Sequence, residues 1–383
     1  HVKDGESVIF EVKESIHGPI MNEVLPEIGK LTQNPVASWW VYVLEPTVAL
    51  EATWKMARAK NIQETEAAVR MIHAPGLNVM YGDKAGNIAW WATAKLPIRP
   101  SHVNSKIFLD GSSVTDEPTG WIPFEQNPMS INPASGFVAS ANNQPDTLSN
   151  GTFFPGYYYP GDRWDRISKT VTSRNDWTQE SIKALQLEAI NENHPINAKS
   201  MLAVVDLAAF KGFEPAQQAI ENWNGSHDLE SIAPTFYYKW LYHTLHGMMA
   251  DELGEDDFQN FIKTFMYIRS VPTLIRTDNS PWWDNNKTEA KESKAEIVKI
   301  ALGKTISELS EQLGTDSEKW LWEKVVVLEH PHPLGAKKPL DKIFNVKAPA
   351  VTANEESVNK LPFTLNPDGI YKVNSGPAMR IIL

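Results

Sequence analysis

Cysteine is missing altogether from the 383 residues. Within this chain that excludes disulfides, thiolate metal centres, iron–sulfur clusters and a thiol nucleophile. It leaves the compartment open, and it is compatible with an oxidising one, where stray thiols are a liability. Basic residues are also in deficit: 36 Lys and Arg against 47 Asp and Glu give a net charge of −11. A nucleic-acid binder carries a basic stripe and an anionic-lipid binder a basic patch, so the balance points away from both. No run approaches the roughly 18 consecutive apolar residues of a membrane-spanning helix. The longest, such as 39–44, are strand-sized. A glycine-rich dinucleotide or phosphate loop, a His-Glu-x-x-His motif, an internal repeat and a low-complexity tract are likewise missing.

What remains is ordinary globular material. Apolar residues make up 42% and charged residues 22%, enough to bury a sizeable core. The length allows two or three domains. Residues 6–20 read as two strands with a break at His17-Gly18-Pro19, and 38–44 as an aromatic strand. Helical spacing begins at Leu50, Trp54 and Ala57 and resumes over 62–72. Residues 77–81 and 88–94 flank the turn-rich Asp83-Lys84-Ala85-Gly86-Asn87, which predicts a hairpin. A short strand is expected over 137–140 and an ordered loop over 146–162. From 165 to 313 helical periodicity takes over, with helices expected over 181–192, 196–210, 215–223, 234–253, 258–274 and 291–313. A strand or helix end follows at 324–328, a Pro/Lys-rich loop over 331–360, and a strand over 371–383. The expected organisation is a sheet-rich part over 1–165, a mainly helical domain over 166–318, and a return to sheet over 319–383. Strands, then helices, then strands imply an α+β fold with antiparallel sheet. Residue 1 is His and the last residues are Arg380-Ile381-Ile382-Leu383, which read as interrupted structure, so a chain cut at both ends is expected.

Metal-ligand patterns are weak. His330 and His332 alternate with prolines, as in a structural loop, and His243 and His246 lie one turn apart on an aromatic helix without a placed carboxylate. A polar cluster is the sharper signal. Ala141-Asn142-Asn143-Gln144-Pro145 follows an expected strand, and Gly161-Asp162-Arg163 follows a Tyr/Phe/Pro loop. Two amides and a guanidinium supply donors for an oxyanion or a carboxylate. The plainer alternative is that the asparagines close a turn and Arg163 pairs with Asp162 or Asp165.

The chain resembles the β chain of the penicillin acylase family of N-terminal nucleophile hydrolases. Six blocks carry the likeness in order: Ser15-Ile16-His17-Gly18-Pro19-Ile20; Leu77-Asn78-Val79-Met80-Tyr81-Gly82-Asp83 with Gly86-Asn87-Ile88; Ile122-Pro123-Phe124-Glu125-Gln126-Asn127-Pro128; Gly136-Phe137-Val138-Ala139-Ser140-Ala141-Asn142-Asn143; Gly161-Asp162-Arg163; and Ser375-Gly376-Pro377-Ala378-Met379-Arg380. The resemblance implies part of an αββα sandwich with a large helical insertion. It implies a precursor that cuts itself to expose a Ser, Thr or Cys, which attacks an amide carbonyl with its own α-amine as base, an amine titrating near ~7.7. By resemblance Asn142 is the side-chain oxyanion donor, and Arg163, 21 positions on, helps to position the site. Tyr157, Tyr158, Tyr159 and Trp164 are expected to line the substrate cleft.

The departures matter equally. His1 is no such nucleophile, and Ser15 does not occupy the nucleophile strand. The nucleophile, the backbone oxyanion donor and much of the acyl pocket are therefore expected from an α chain and an N-terminal β segment of the same precursor, leaving this chain inactive alone. The implied substrate is a small N-acyl amide such as a penicillin or an acyl-homoserine lactone, and the implied location is periplasmic or secreted. No cofactor is required for the chemistry. The family allows a structural calcium, for which Asp146 and Asn150 are only loose candidates. Two alternatives stand beside this reading: a non-catalytic secreted binding module of the same fold, and a helical docking surface over 234–275, rich in Phe, Tyr and Trp.

Overall fold

A computed structural model describes residues 1–145, 154–346, 349–352, 354–377 and 379–382. They fall into two compact units, His1–Ser140 with Pro145–Gly156, and Ala141–Gln144 with Tyr157–Leu383.

The first unit is built on a meander. Strands β1 (Leu77–Gly82) and β2 (Ile88–Thr93) pair antiparallel with Gly82 opposite Ile88, and β3 (Met129–Ile131) adds to the far side of β2. The turn explains the register. Asp83 Oδ1 accepts from the amides of Ala85 and Asn87 at 2.9 and 3.0 Å, and Gly86 takes a positive φ of 86°. Along β2 alternate residues are buried, as a half-covered strand requires, and Trp91 packs with Val69 and Ala89. Val69 comes from helix α2 (Ile62–Val69), which packs beside α1 (Ala49–Met56). Asn61 caps α2 by accepting from the Glu64 amide at 2.8 Å.

The expected strand over 38–44 is instead a short helix, Val41–Leu44. A six-residue apolar run has no periodicity to separate helix from strand. Residues 7–13 form no strand either; Val8, Ile9, Phe10 and Val12 are exposed, while Glu14–Ser15 pairs with Gly18–Pro19 and Ile20 bridges Ala37. Residues 137–140 are irregular, and among the described residues the final strand is limited to Tyr371–Val373.

The second unit is mainly helical. Its helices include α3 (Asp162–Thr172), which buries no residue fully, and α4 (Asn193–Leu202), α5 (Ala233–Leu253), α6 (Phe265–Arg276) and α7 (Lys294–Leu313). Helix α5 is apolar nearly all round, so it must be enclosed. Phe236, Tyr237, Trp240, Leu245 and Met248 are fully buried, and α7 packs along it. Pro234 sits in its first turn, where no intrahelical donor is lost, and Gly254 ends it at φ 76°. Ser293 and Glu296 form a capping box at the start of α7. Six of the aromatics that made 234–275 a conceivable docking surface, Phe236, Tyr237, Tyr238, Trp240, Tyr242 and Phe258, are therefore interior packing. Strands β4 (Val326–Leu328) and β5 (Tyr371–Val373) pair in parallel, unlike the antiparallel pairs of the first unit. The architecture is thus mixed, with small sheets and many helices.

Candidate active site

Residues 141–144 and 157–160 are strapped together inside the second unit. The Tyr159 amide donates to the Asn142 carbonyl at 2.9 Å, and Asn143 and Tyr159 form a parallel bridge. Asn143 Oδ1 accepts from the Ala141 amide at 3.1 Å, closing the turn. Asn142 sits at its apex with φ 60°, a left-handed conformation that asparagine tolerates better than most residues. The chain then passes Gly161 into α3, which places Arg163 in the first helical turn.

Arg163 reaches back to that turn. Its Nη2 donates to the Ala141 carbonyl and to Asn142 Oδ1, the latter at 2.9 Å. A guanidinium can only face the oxygen end of an amide, so the Asn142 side chain is fixed with its Nδ2 pointing away from Arg163. Asn142 itself is exposed, which leaves that N–H pair accessible. Asp162 does not pair with Arg163; its Oδ1 accepts from Asn191 and Asn193 Nδ2 at 3.0 and 2.7 Å. Burial lowers the Arg163 pKa, opposed by Tyr159, Glu355 and Glu356. Asp165 is raised, mainly by burial and then by Asp162 and Glu192.

Among the expected aromatics, Tyr157 is 57% exposed, while Tyr158 and Trp164 are half-buried. Burial pushes the Tyr158 hydroxyl up. The aromatic that meets the Asn142–Arg163 pair is Tyr159, with the Arg163 carbon 4.9 Å from its ring centroid. Its hydroxyl donates to Glu355 Oε1 at 3.1 Å and accepts from Lys360 Nζ. Burial, then Glu355, drives the Tyr159 hydroxyl well above its ordinary value. Glu355 is raised by burial and by Glu356, and Lys360 is lowered by burial. Glu355 also lines a cleft of about 310 Å³ with Lys263, Tyr267 and Lys372. Neither Glu355 nor Lys360 was legible in sequence. They lie 196 and 201 positions from Tyr159, in a segment without a motif.

Three of the four singled-out histidines take structural partners. His243 meets Glu308 at 3.1 Å, His246 meets Glu255 at 2.9 Å, and His332 caps a turn by accepting from the Leu334 amide at 3.1 Å. Among the described residues no three or more His, Asp or Glu side chains are grouped to hold a metal ion. Asp146 and Asn150 lie outside the described residues. Among the described residues, no helix is long and apolar enough to cross a membrane.

Comparison with known proteins places this geometry in context. The penicillin amidase family model matches residues 1–383. An acyl-homoserine lactone acylase, QuiP, of Pseudomonas aeruginosa is 25% identical over 353 residues, which is 85% of this chain and 41% of that protein. A penicillin G acylase of Escherichia coli is 24% identical over 349 residues, 83% of this chain and 40% of that protein. The chain thus spans about two-fifths of the length of these curated relatives. A thermostable penicillin G acylase from Alcaligenes faecalis shares the fold, with a TM-score of 0.59 at 20% identity over 84% of this chain and 61% of that one. With the family model matched from end to end, the chain belongs to the penicillin amidase family.

Proposed function

We propose that these residues are the oxyanion-stabilising part of an amidase that hydrolyses N-acyl amides to a carboxylic acid and an amine. The observation that carries it is the 2.9 Å bond from Arg163 to Asn142 Oδ1, which presents Asn142 Nδ2 as a fixed, accessible donor. Attack on an amide carbonyl places negative charge on its oxygen, and a preorganised N–H aimed at that position lowers the barrier. Arg163 adds a positive charge behind the donor and holds its orientation, so no reorganisation is needed when the charge develops.

The remaining parts of the reaction are assigned to other segments of the same precursor. An N-terminal hydroxyl or thiol attacks, its α-amine takes the proton, and a backbone N–H completes the oxyanion hole. The exposed apolar side chains of Val8, Ile9, Phe10, Val12 and Ile16 suit contact with such an α chain and N-terminal β segment. On this reading the first unit is part of an αββα sandwich, the helices of the second are the insertion, and the 383-residue chain does not turn over alone. The relatives' names support small N-acyl amides, penicillins or acyl-homoserine lactones, as the substrate class, and a periplasmic or secreted location accords with that family.

The test is chromophore release from a panel of acyl-anilides by the protein expressed from its complete reading frame, by its Asn142→Ala variant, and by the 383-residue chain alone. The complete protein is expected to turn over, the Asn142→Ala variant about 10²–10³-fold more slowly, and the isolated chain not at all. Clear turnover by the isolated chain, or an unaffected Asn142→Ala variant, refutes the assignment.

A further inference from the structure

Arg163 is a half-buried cation whose guanidinium donates to neutral oxygens, Ala141 O and Asn142 Oδ1. Such a group needs something else to hold it in place and balance its charge. The structure supplies both through one residue. The Tyr159 ring lies under the guanidinium at 4.9 Å, and Lys360 Nζ lies 3.8 Å from the same ring centroid. The hydroxyl is bonded in one sense only. Lysine can only donate, so Tyr159 O accepts from Lys360, and its own proton goes to Glu355 Oε1 at 3.1 Å. That anchors the hydroxyl end of the ring. The Tyr159 amide meanwhile holds the Asn142 carbonyl at 2.9 Å. Tyr159 therefore touches both members of the pair: the backbone of Asn142 and the guanidinium of Arg163. Glu355, which accepts the tyrosine hydroxyl proton, also helps to offset the Arg163 charge, as does Glu356.

We propose that Tyr159, locked by Glu355 and Lys360, is a positioning residue that sets the Asn142–Arg163 geometry for oxyanion stabilisation. The inference rests on the amidase reading of Asn142. It goes beyond it by naming three residues, two of them from the distant 354–360 segment, whose effect on turnover passes through Asn142 without contact with substrate.

The experiment uses the complete protein. Tyr159→Phe keeps the ring and the backbone bond but drops both hydroxyl bonds, and Glu355→Gln keeps an acceptor while removing the charge. Each is expected to lower kcat about tenfold with KM within about twofold, because a small displacement of a preorganised group costs rate rather than binding. Combined with Asn142→Ala, Tyr159→Phe is expected to cost nothing further, since both act on one donor. A crystal structure of Tyr159→Phe is expected to show Arg163 no longer within hydrogen-bond distance of Asn142 Oδ1. If Asn142→Ala is slowed but both single variants keep full kcat, or if their losses multiply with that of Asn142→Ala, the positioning role is overturned while the amidase reading stands. If the complete protein hydrolyses no acyl amide, the amidase reading fails. The crystal structure then decides the inference separately, and an unmoved Arg163 overturns it.

Discussion

Replacing Asn142 separates chemistry from folding, because its backbone and its amide make opposite demands. With φ at 60°, alanine costs about 1 kcal/mol of stability there, whereas glycine adopts that conformation freely. Neither keeps the Nδ2 donor. Loss of one oxyanion donor costs about 10²–10³ in kcat, or about 3–4 kcal/mol in the barrier. Asn142→Ala and Asn142→Gly should therefore lose the same activity while differing in melting temperature by about a degree or less. Asn142→Asp sharpens the test. The aspartate tolerates the left-handed backbone and gives Arg163 a charged acceptor in place of Oδ1, now 2.9 Å away, so the fold is held at least as well. Yet it has no donor and places a negative charge where the oxyanion develops, so its activity should fall below that of the alanine variant. The assay is kcat on an acyl-anilide by the complete protein, with thermal melts on the same samples. If Asn142→Asp keeps more than about a tenth of the activity, or if activity follows melting temperature across the three variants, the oxyanion assignment is wrong.

Arg163→Lys keeps the charge but loses the reach and the planar group that lies over the Tyr159 ring, so kcat should fall at least tenfold, roughly, while unfolding by urea changes little. Gly225→Ala should cost more than about 3 kcal/mol, or prevent folding, since the added carbon would lie 1.9 Å from the Asn191 carbonyl oxygen at φ 91°; a thermal melt checks it. His227 is fully buried, and desolvation, then the neighbouring His194, pushes it well below its ordinary value of 6.5. Its Nδ1 faces the Gly225 and Ala189 carbonyls at 2.9 and 3.2 Å and so carries a proton, and its Nε2 meets the Tyr238 hydroxyl at 2.9 Å. The unfolded chain takes up a second ring proton below about pH 6.5 and the folded chain does not. This contribution to stability is complete above that pH and is lost as pH falls, by at most about 1.4 kcal/mol per unit. Urea titrations at falling pH should show the slope, and His227→Gln should flatten it.

Local chemistry carried the parts of the fold that were legible in sequence. The hairpin was visible because Asp83 and Gly86 supply both the turn bonds and the positive φ, and α5 because an aromatic run of helical length has to be enclosed. Residues 38–44 were misread because burial alone decides a run that short, and 7–13 because alternation shows a potential strand but not a neighbour to pair with. At the site, Asn142 and Arg163 stood out by residue type and by context. Which of three consecutive tyrosines faces the guanidinium was not legible, since that follows from the Asn143–Tyr159 bridge. Glu355 and Lys360 come from the far end of the chain, and only tertiary packing brings them in.

The depth of the anchoring explains how a pair on a turn can act as a fixed donor. Helix α3, which carries Arg163, is tied at Asp162 to Asn191 and Asn193. Asn193 Oδ1 accepts from Arg276 of α6 at 2.8 Å, and Arg276 also donates to Asn197 at 2.8 Å, whose amide reaches the buried Tyr237 hydroxyl at 3.2 Å. His194 meets Glu356 at 3.0 Å, next to the Glu355 that holds Tyr159. Each bond is worth about 1 kcal/mol alone, but within a low-dielectric interior they reinforce one another and leave few alternatives of similar energy. The web runs without a break from the aromatic core around α5 to both sides of the Asn142–Arg163 pair. Its consequence is directional: substitutions that loosen it, even where no substrate reaches, should weaken transition-state stabilisation before they weaken substrate binding.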